Sequence, residues 1–192
     1  MEVGMTSLPF VSLPTVDAQP TNLRVPHGHA GFALGTDGRT RLECGTHDMQ
    51  PLTPSTIFLI RVGASHDLEL ESLGNSMLRD DSGVWRPLRV FGFLEYSIAH
   101  AERLMDVLER DAILETRDLE KELTRIVLER VGSFLECDTW RQETLSSCLE
   151  CASGELLMHV EDALDPLGIQ VTAFQLSANL GTDVSSSQRG LS

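Results

Sequence analysis

Lysine is all but missing from this chain: of its 15 Lys+Arg residues, Lys121 is the single lysine. That excludes a P-loop, which needs a lysine behind its glycine-rich turn, and leaves one candidate for Schiff-base chemistry. Positive charge as a whole is scarce, since 29 Asp+Glu bring the formal net charge to −14. Proteins that bind duplex nucleic acid cluster Lys and Arg on one face, and docking on an anionic bilayer uses the same charges, so the deficit argues against both. Long hydrophobic runs are lacking too. The longest aliphatic and aromatic stretch is Ile57 to Ile60, far short of the roughly 20 residues of a membrane helix. The N-terminus does not read as a secretory signal, because Glu2 stands where a basic region would and Pro9 and Pro14 break the apolar stretch. Four cysteines do not make a disulfide framework at this length, and the setting expected is reducing and cytoplasmic.

What is present is enough for a folded core. The chain has 192 residues, 41% of them hydrophobic, which suits one domain or two very small ones. Residues 1–21 carry Pro9, Pro14 and Pro20 without a sustained period and read as an irregular arm. The apolar Leu8, Phe10, Val11 and Leu13 of that arm either pack on the body or dip into a membrane interface. A β-rich half follows. Strand-like runs at 25–35 and 39–44 flank Asp37-Gly38, a hairpin signal because a type I′ turn needs positive φ at both central positions. Ile57 to Val62 reads as a short buried strand, and Asp67 to Glu71 alternates with Leu68 and Leu70. Asp80-Asp81-Ser82-Gly83 reads as a turn. From Val84 to Ile98, Leu88, Val90, Leu94, Tyr96 and Ile98 share one parity, and Trp85, Phe91 and Phe93 the other. Pro87 puts the start of this strand at an edge or bulge.

The second half is helical. Leu104, Met105 and Leu108 mark a first helix over 101–112. Leu119, Leu123, Ile126, Val127, Val131 and Phe134 form the stripe of a second. Thr139 and Gln142 make a capping box for a third, with the stripe Leu145, Leu149, Ala152, Leu156, Val160 and Leu164. Asp165-Pro166 ends it, and Gly168 releases the chain into a last strand, Ile169 to Leu176. Residues 179–192 read as a disordered tail. The expected core includes Phe32, Ile57, Leu59, Val90, Leu94, Leu123, Ile126, Leu156 and Ile169. Residues 99–165 hold 17 acidic and 7 basic side chains. That net of −10 is either a solvated helix face or a surface that meets a basic partner.

Candidate chemistry is thin. Cys148 and Cys151 form a CxxC with Cys137 and His159 nearby, but the pair falls inside a predicted helix and has no second CxxC, so buried structural cysteines are the simpler reading beside metal or redox chemistry. His27 and His29 lie two apart on a strand and point to one face. If Asp37-Gly38 is the two-residue turn, paired residue numbers sum to about 75. Cys44 then faces Gly31, and Asp48 faces His27. His27, His29, Cys44 and Asp48 would share a face as a metal cluster; otherwise the histidines are exposed strand-end residues. No nucleophile elbow, Walker loop, Rossmann glycine pattern or HExxH helix occurs, and Asp80-Asp81 reads as a turn. No catalytic, cofactor-binding or metal-binding residue is assigned, no cofactor is expected, and the chain is not expected to be an enzyme.

The order of elements resembles the SPFH domain, also called the Band 7 or prohibitin-homology domain, of stomatin, prohibitin and flotillin. Val25 to Ala33 with Asp37-Gly38 looks like the family's opening strand and hairpin, and Gly45-Thr46-His47 like its Gly-x-His turn. Asp80 to Trp85 is similar to the segment before its long strand. Leu167-Gly168-Ile169-Gln170-Val171 resembles its closing strand. Phe91 to Ile98 followed by a helix is most similar to the soluble virion-core-protein-like branch. The resemblance covers 22–178 and implies an α/β fold of α+β character, a mixed twisted sheet packed on three amphipathic helices. It further implies a non-catalytic scaffold or interaction module that self-associates or docks with other scaffold proteins, without nucleic acid, in the cytoplasm or peripheral to a membrane. The family's usual N-terminal anchor and following coiled coil are not read here, so a partner or the arm around Phe10 is expected to complete an assembly. Lateral contact is expected at the sheet edge near Pro87 or the end of the third helix. The alternative is a metal- or thiol-dependent enzyme or sensor using the Cys and His residues. The Cys148–Cys151 pair, two ligands where a closed zinc site takes four, is expected reduced and metal-free. A chelator should leave the melting temperature unchanged; a fall of several degrees would mean that a metal contributes to folding.

Overall fold

The computed structural model describes residues 8–14, 21–36, 38–49, 56–71, 76–79, 82–135 and 153–180. Their content is mixed α and β, with three helices and three sheets among the described residues. The strands are β1 (Phe10–Pro14), β2 (Thr21–Val25), β3 (His29–Gly35), β4 (Gly38–Leu42), β5 (Gly45–Met49), β6 (Thr56–Arg61), β7 (Ser65–Glu71), β8 (Ser76–Arg79), β9 (Trp85–Ile98) and β10 (Ile169–Leu180). The helices are α1 (Ala101–Arg110), α2 (Thr116–Leu135) and α3 (Ser153–Leu164), and a 3-10 turn spans Asp165–Leu167.

The first sheet has the order β1-β6-β3-β4. β6 lies between two neighbours, and Ile57, Phe58, Leu59 and Ile60 are all buried, which is why its sequence is apolar on both parities. β1 corrects the expectation of an irregular arm. It pairs antiparallel with β6, Phe10 opposite Ile60, and Phe10 is 1% exposed with its ring 6.2 Å from Phe58. Prolines at 9 and 14 are compatible with this strand because it sits at the sheet edge and uses only one side of its backbone. Its other side is tied down as well. Ser12 Oγ donates to the Leu114 carbonyl at 2.6 Å, and Thr116 Oγ1 donates to the Phe10 carbonyl at 3.0 Å.

The hairpin turn forms one residue earlier than its Asp-Gly signal implies, which moves each strand partner by two residues. Gly35 pairs with Gly38 and Gly31 with Leu42, so positions 36 and 37 lie between the strands and Gly38 takes φ +111° just after them. A glycine in that place relieves the steric cost of positive φ. Gly31 faces Leu42 rather than Cys44, within a small core of Val25, Ala33, Leu42, Ile57 and Leu59 with Leu23 packed against it. The expected single run over 25–35 is also divided, since Pro26 to Gly28 separates β2 from β3. β2 then pairs with β5, and Asp48 lies opposite Asn22 instead of His27.

The second sheet has the order β10-β9-β7, and β8 also pairs with β9. β9 follows its sequence alternation: Leu88, Val90, Leu94, Tyr96 and Ile98 are buried, whereas Trp85, Phe91 and Phe93 are exposed. The edge expected at Pro87 is not open, because β8 lies along it with Met77 opposite Pro87. In β10 the alternation changes phase. Ile169 and Val171 are buried with Gln170 and Thr172 exposed, but farther on Ala178 is buried with Gln175, Ser177 and Asn179 exposed. The change of phase falls across Ala173 to Leu176, where three of the four residues are half-buried and only Gln175 is exposed. A side chain at Gly92 would run into the Gln175 carbonyl, which explains a glycine in the middle of the longest strand.

In α2 the buried line is Leu119, Leu123, Val127, Val131 and Leu135, a strict i, i+4 row. Ile126 and Phe134, expected inside, flank it half-buried. The other eight expected core residues are buried. α3 buries Leu156, Val160 and Leu164; the first half of the expected third helix, with its capping box, lies outside the described residues. No helix among the described residues is long and apolar enough to cross a membrane. The chain divides into two compact units, one of residues 1–66, 96–121 and 165–170, the other of 67–95, 122–164 and 171–192.

Within the first unit, Gly168 joins the ends of three elements. Its amide donates to the Asp165 carbonyl at 2.8 Å, and its own carbonyl accepts the amides of Ala99 (2.9 Å) and His100 (3.0 Å). Its φ is +75°, and a Cβ there would collide with the His100 carbonyl. Gly168→Ala should therefore destabilise by about 3 kcal/mol, strain at positive φ adding to a backbone clash. Urea unfolding monitored by circular dichroism reads this directly, and a loss below about 1 kcal/mol, the ordinary effect of a surface change, would contradict it.

Candidate functional site

The histidine and cysteine cluster suggested by strand register is only partly assembled. His27 Nδ1 and Cys44 Sγ are 3.6 Å apart, because the chain bends at both residues, one before β3 and one after β4. His29 turns its Nδ1 to the His27 carbonyl at 3.2 Å. His47 is engaged with the Glu43 carbonyl. Asp48 is on β5 opposite Asn22, separated from His27 by the departure of β5 from the line of β4. Among the described residues no group of three or more His, Cys, Asp or Glu side chains converges as a metal site requires. His159 on α3 is exposed and packs its ring 5.8 Å from Phe134. Cys137, Cys148, Cys151, Asp80 and Asp81 lie outside the described residues.

Much of the helical charge is matched locally. Arg39 on β4 donates to Asp106 at 2.5 Å and lies 3.6 Å from Glu109, while Arg41 reaches Glu102. Arg103 binds the carboxylate and the carbonyl of Asp165. Lys121 pairs with Asp118 at 2.7 Å, and Arg125 bridges Glu122 and Glu129. These pairs are mostly solvent-exposed, so each contributes on the order of 0–1 kcal/mol.

The feature least expected of a solvated surface is the outer face of β9. Trp85 is 59% exposed, Phe91 38% and Phe93 39%, in a chain with only 5% aromatic residues. Met77, 43% exposed, stands opposite Pro87 on β8. Placing Val90 and Leu94 in the core had already left these rings on the opposite parity. On β7 the exposed parity is Asp67, Glu69 and Glu71. β10, on the other side of β9, has no ionisable side chain from Ile169 to Leu180.

One buried polar group had no sequence signal beyond its place in an alternating strand. His66 and Tyr96 are both buried, with ring centroids 5.5 Å apart. Burial raises the Tyr96 phenol well above its usual value, and the nearby Glu120 carboxylate raises it further.

Neither protein-family models nor curated proteins match this chain.

Tyr96 is the only tyrosine, so the near-ultraviolet absorbance of tyrosinate reports on this one side chain. Its folded value is raised above the unfolded value of 10.0. The associated stability is fully present below pH 10.0 and falls above it, by about 1.4 kcal/mol per pH unit, because the unfolded chain ionises first. The expected result is no tyrosinate signal on passing pH 10.0 until the fold is lost, the two changes coinciding. A tyrosinate midpoint at the ordinary value with native circular dichroism would contradict the burial of this ring.

Proposed function

We propose that this chain is a non-catalytic interaction module, an SPFH-like domain that self-associates through a sheet edge or docks in a larger assembly. The observation that carries the reading is the composition of β10. Among the described residues it terminates the second sheet; it is 12 residues long and contains neither a charged residue nor a proline, in a chain whose net charge is −14. Edge strands that must stay single are usually short or carry Lys, Glu or Pro to deter pairing. Pairing along β10 brings no like charges together, which matters for copies that repel one another elsewhere. The order of elements, a hairpin sheet, a long strand, helices and a closing strand after Gly168, supports the family reading. The alternative of a metal- or thiol-dependent enzyme or sensor has, among the described residues, the His27–Cys44 contact, two groups where a closed metal site takes four.

Mass photometry over a concentration series tests the proposal. The wild-type chain is expected to form oligomers. The triple change Gln175→Lys, Ser177→Lys and Asn179→Lys, all at exposed positions, is expected to shift them to monomers with unchanged circular dichroism, because like charges then face each other across the paired edges. A chain that stays monomeric at high concentration, with and without membranes, would defeat self-association.

A further inference from the structure

The exposed face of the second sheet is divided into rows of different chemistry. β8 pairs antiparallel with Trp85–Leu88 at the start of β9, and the His66 ring at the start of β7 lies against Tyr96 near the end of β9. β7 is a neighbour of β9, so Asp67 to Glu71 run alongside the stretch from Phe91 to Glu95. The buried parities of the two strands, Leu68 and Leu70 with Val90 and Leu94, share one face, which puts Asp67, Glu69 and Glu71 on the face of Phe91 and Phe93. The result is an acidic row on β7, an aromatic row on β9 interrupted by the exposed Arg89, and a neutral row of Gln175, Ser177 and Asn179 on β10. Among the described residues, the three acids of β7 take part in no ion pair, unlike the paired carboxylates on α1 and α2.

We infer that this face binds a cationic amphipathic segment of another protein, its apolar side on Trp85, Phe91 and Phe93 and its Lys or Arg side chains over Asp67, Glu69 and Glu71. The occupant follows from charge complementarity. Exposed aromatic side chains are the usual anchors of protein contacts. A row of unpaired carboxylates on one side only calls for cations there and fixes the orientation of the segment. The overall charge of −14 steers a basic partner toward the chain and slows the approach of a second copy. This surface is separate from the β10 edge of the preceding proposal, and either can fail without the other.

The test titrates the full chain with a peptide of about 14 residues built from Leu and Lys at helical spacing, reading heat and tryptophan fluorescence. The paired change Phe91→Ser and Phe93→Ser is expected to weaken binding by about tenfold or more, and so is Glu69→Lys with Glu71→Lys. Glu161→Lys with Asp162→Lys on α3, the same change in charge at exposed positions, is expected to stay within about twofold. A peptide of Leu and Glu in the same pattern is expected not to bind. Equal weakening by the α3 variant would reduce the binding to bulk electrostatics and overturn the inference, as would full affinity in the Phe91→Ser, Phe93→Ser variant. Mass photometry of that variant separates the two surfaces. Oligomers of unchanged size are expected, and their collapse to monomers would mean that the face is occupied by a second copy instead.

Discussion

The carbonyl of Gly168 accepts two consecutive amides, those of Ala99 and His100, and the placement of β9, α1 and β10 depends on that junction. It fixes where the long strand stops, since Ala99 is the first residue after β9, and where α1 starts, since Leu104 donates to the His100 carbonyl at 3.2 Å. It also fixes the point from which β10 departs, one residue later. Only glycine tolerates the position, which combines a positive φ with a carbonyl where Cβ would be. The ends of β9, α1 and β10 are thus held together by a residue with no side chain.

Legibility in the sequence followed the range of the interactions. Period-two alternation placed the buried and exposed faces of β7 and β9, and period 3.6 placed Leu123 and Leu156 in the core, because both signals come from one element at a time. Apart from Ile126 and Phe134, at the margin of the α2 stripe, what failed depended on pairing between elements. The turn signal Asp37-Gly38 was displaced by Gly35 and Gly38 forming the closing pair, a choice made by the strands as a unit. The cluster of His27, His29, Cys44 and Asp48 was extrapolated along that register, past the point where β5 leaves β4 to join β2, so it reached only His27 and Cys44. β1 was missed because its prolines argue against a strand, and only its place at an edge makes them compatible.

Charge and apolar surface are distributed to different ends. The carboxylates of α1 and α2 are mostly held by Arg39, Arg41, Lys121 and Arg125, which limits self-repulsion within a chain that has few cations to spend. The β7 row is outside that arrangement, beside exposed rings that a solitary soluble surface would seldom display together. An acidic chain with a neutral edge and an aromatic face has two unlike surfaces for contact.

The close approach of β10 to β9 ties two distant positions together. The Gln175 carbonyl occupies the space that a Cβ at position 92 would need, so the missing side chain in the middle of the long strand is a condition for the course of the last one. A residue with a side chain at position 92 would need the backbone of β10 to withdraw from β9 at that point. The two positions therefore answer to one steric constraint, although about 80 residues separate them along the chain.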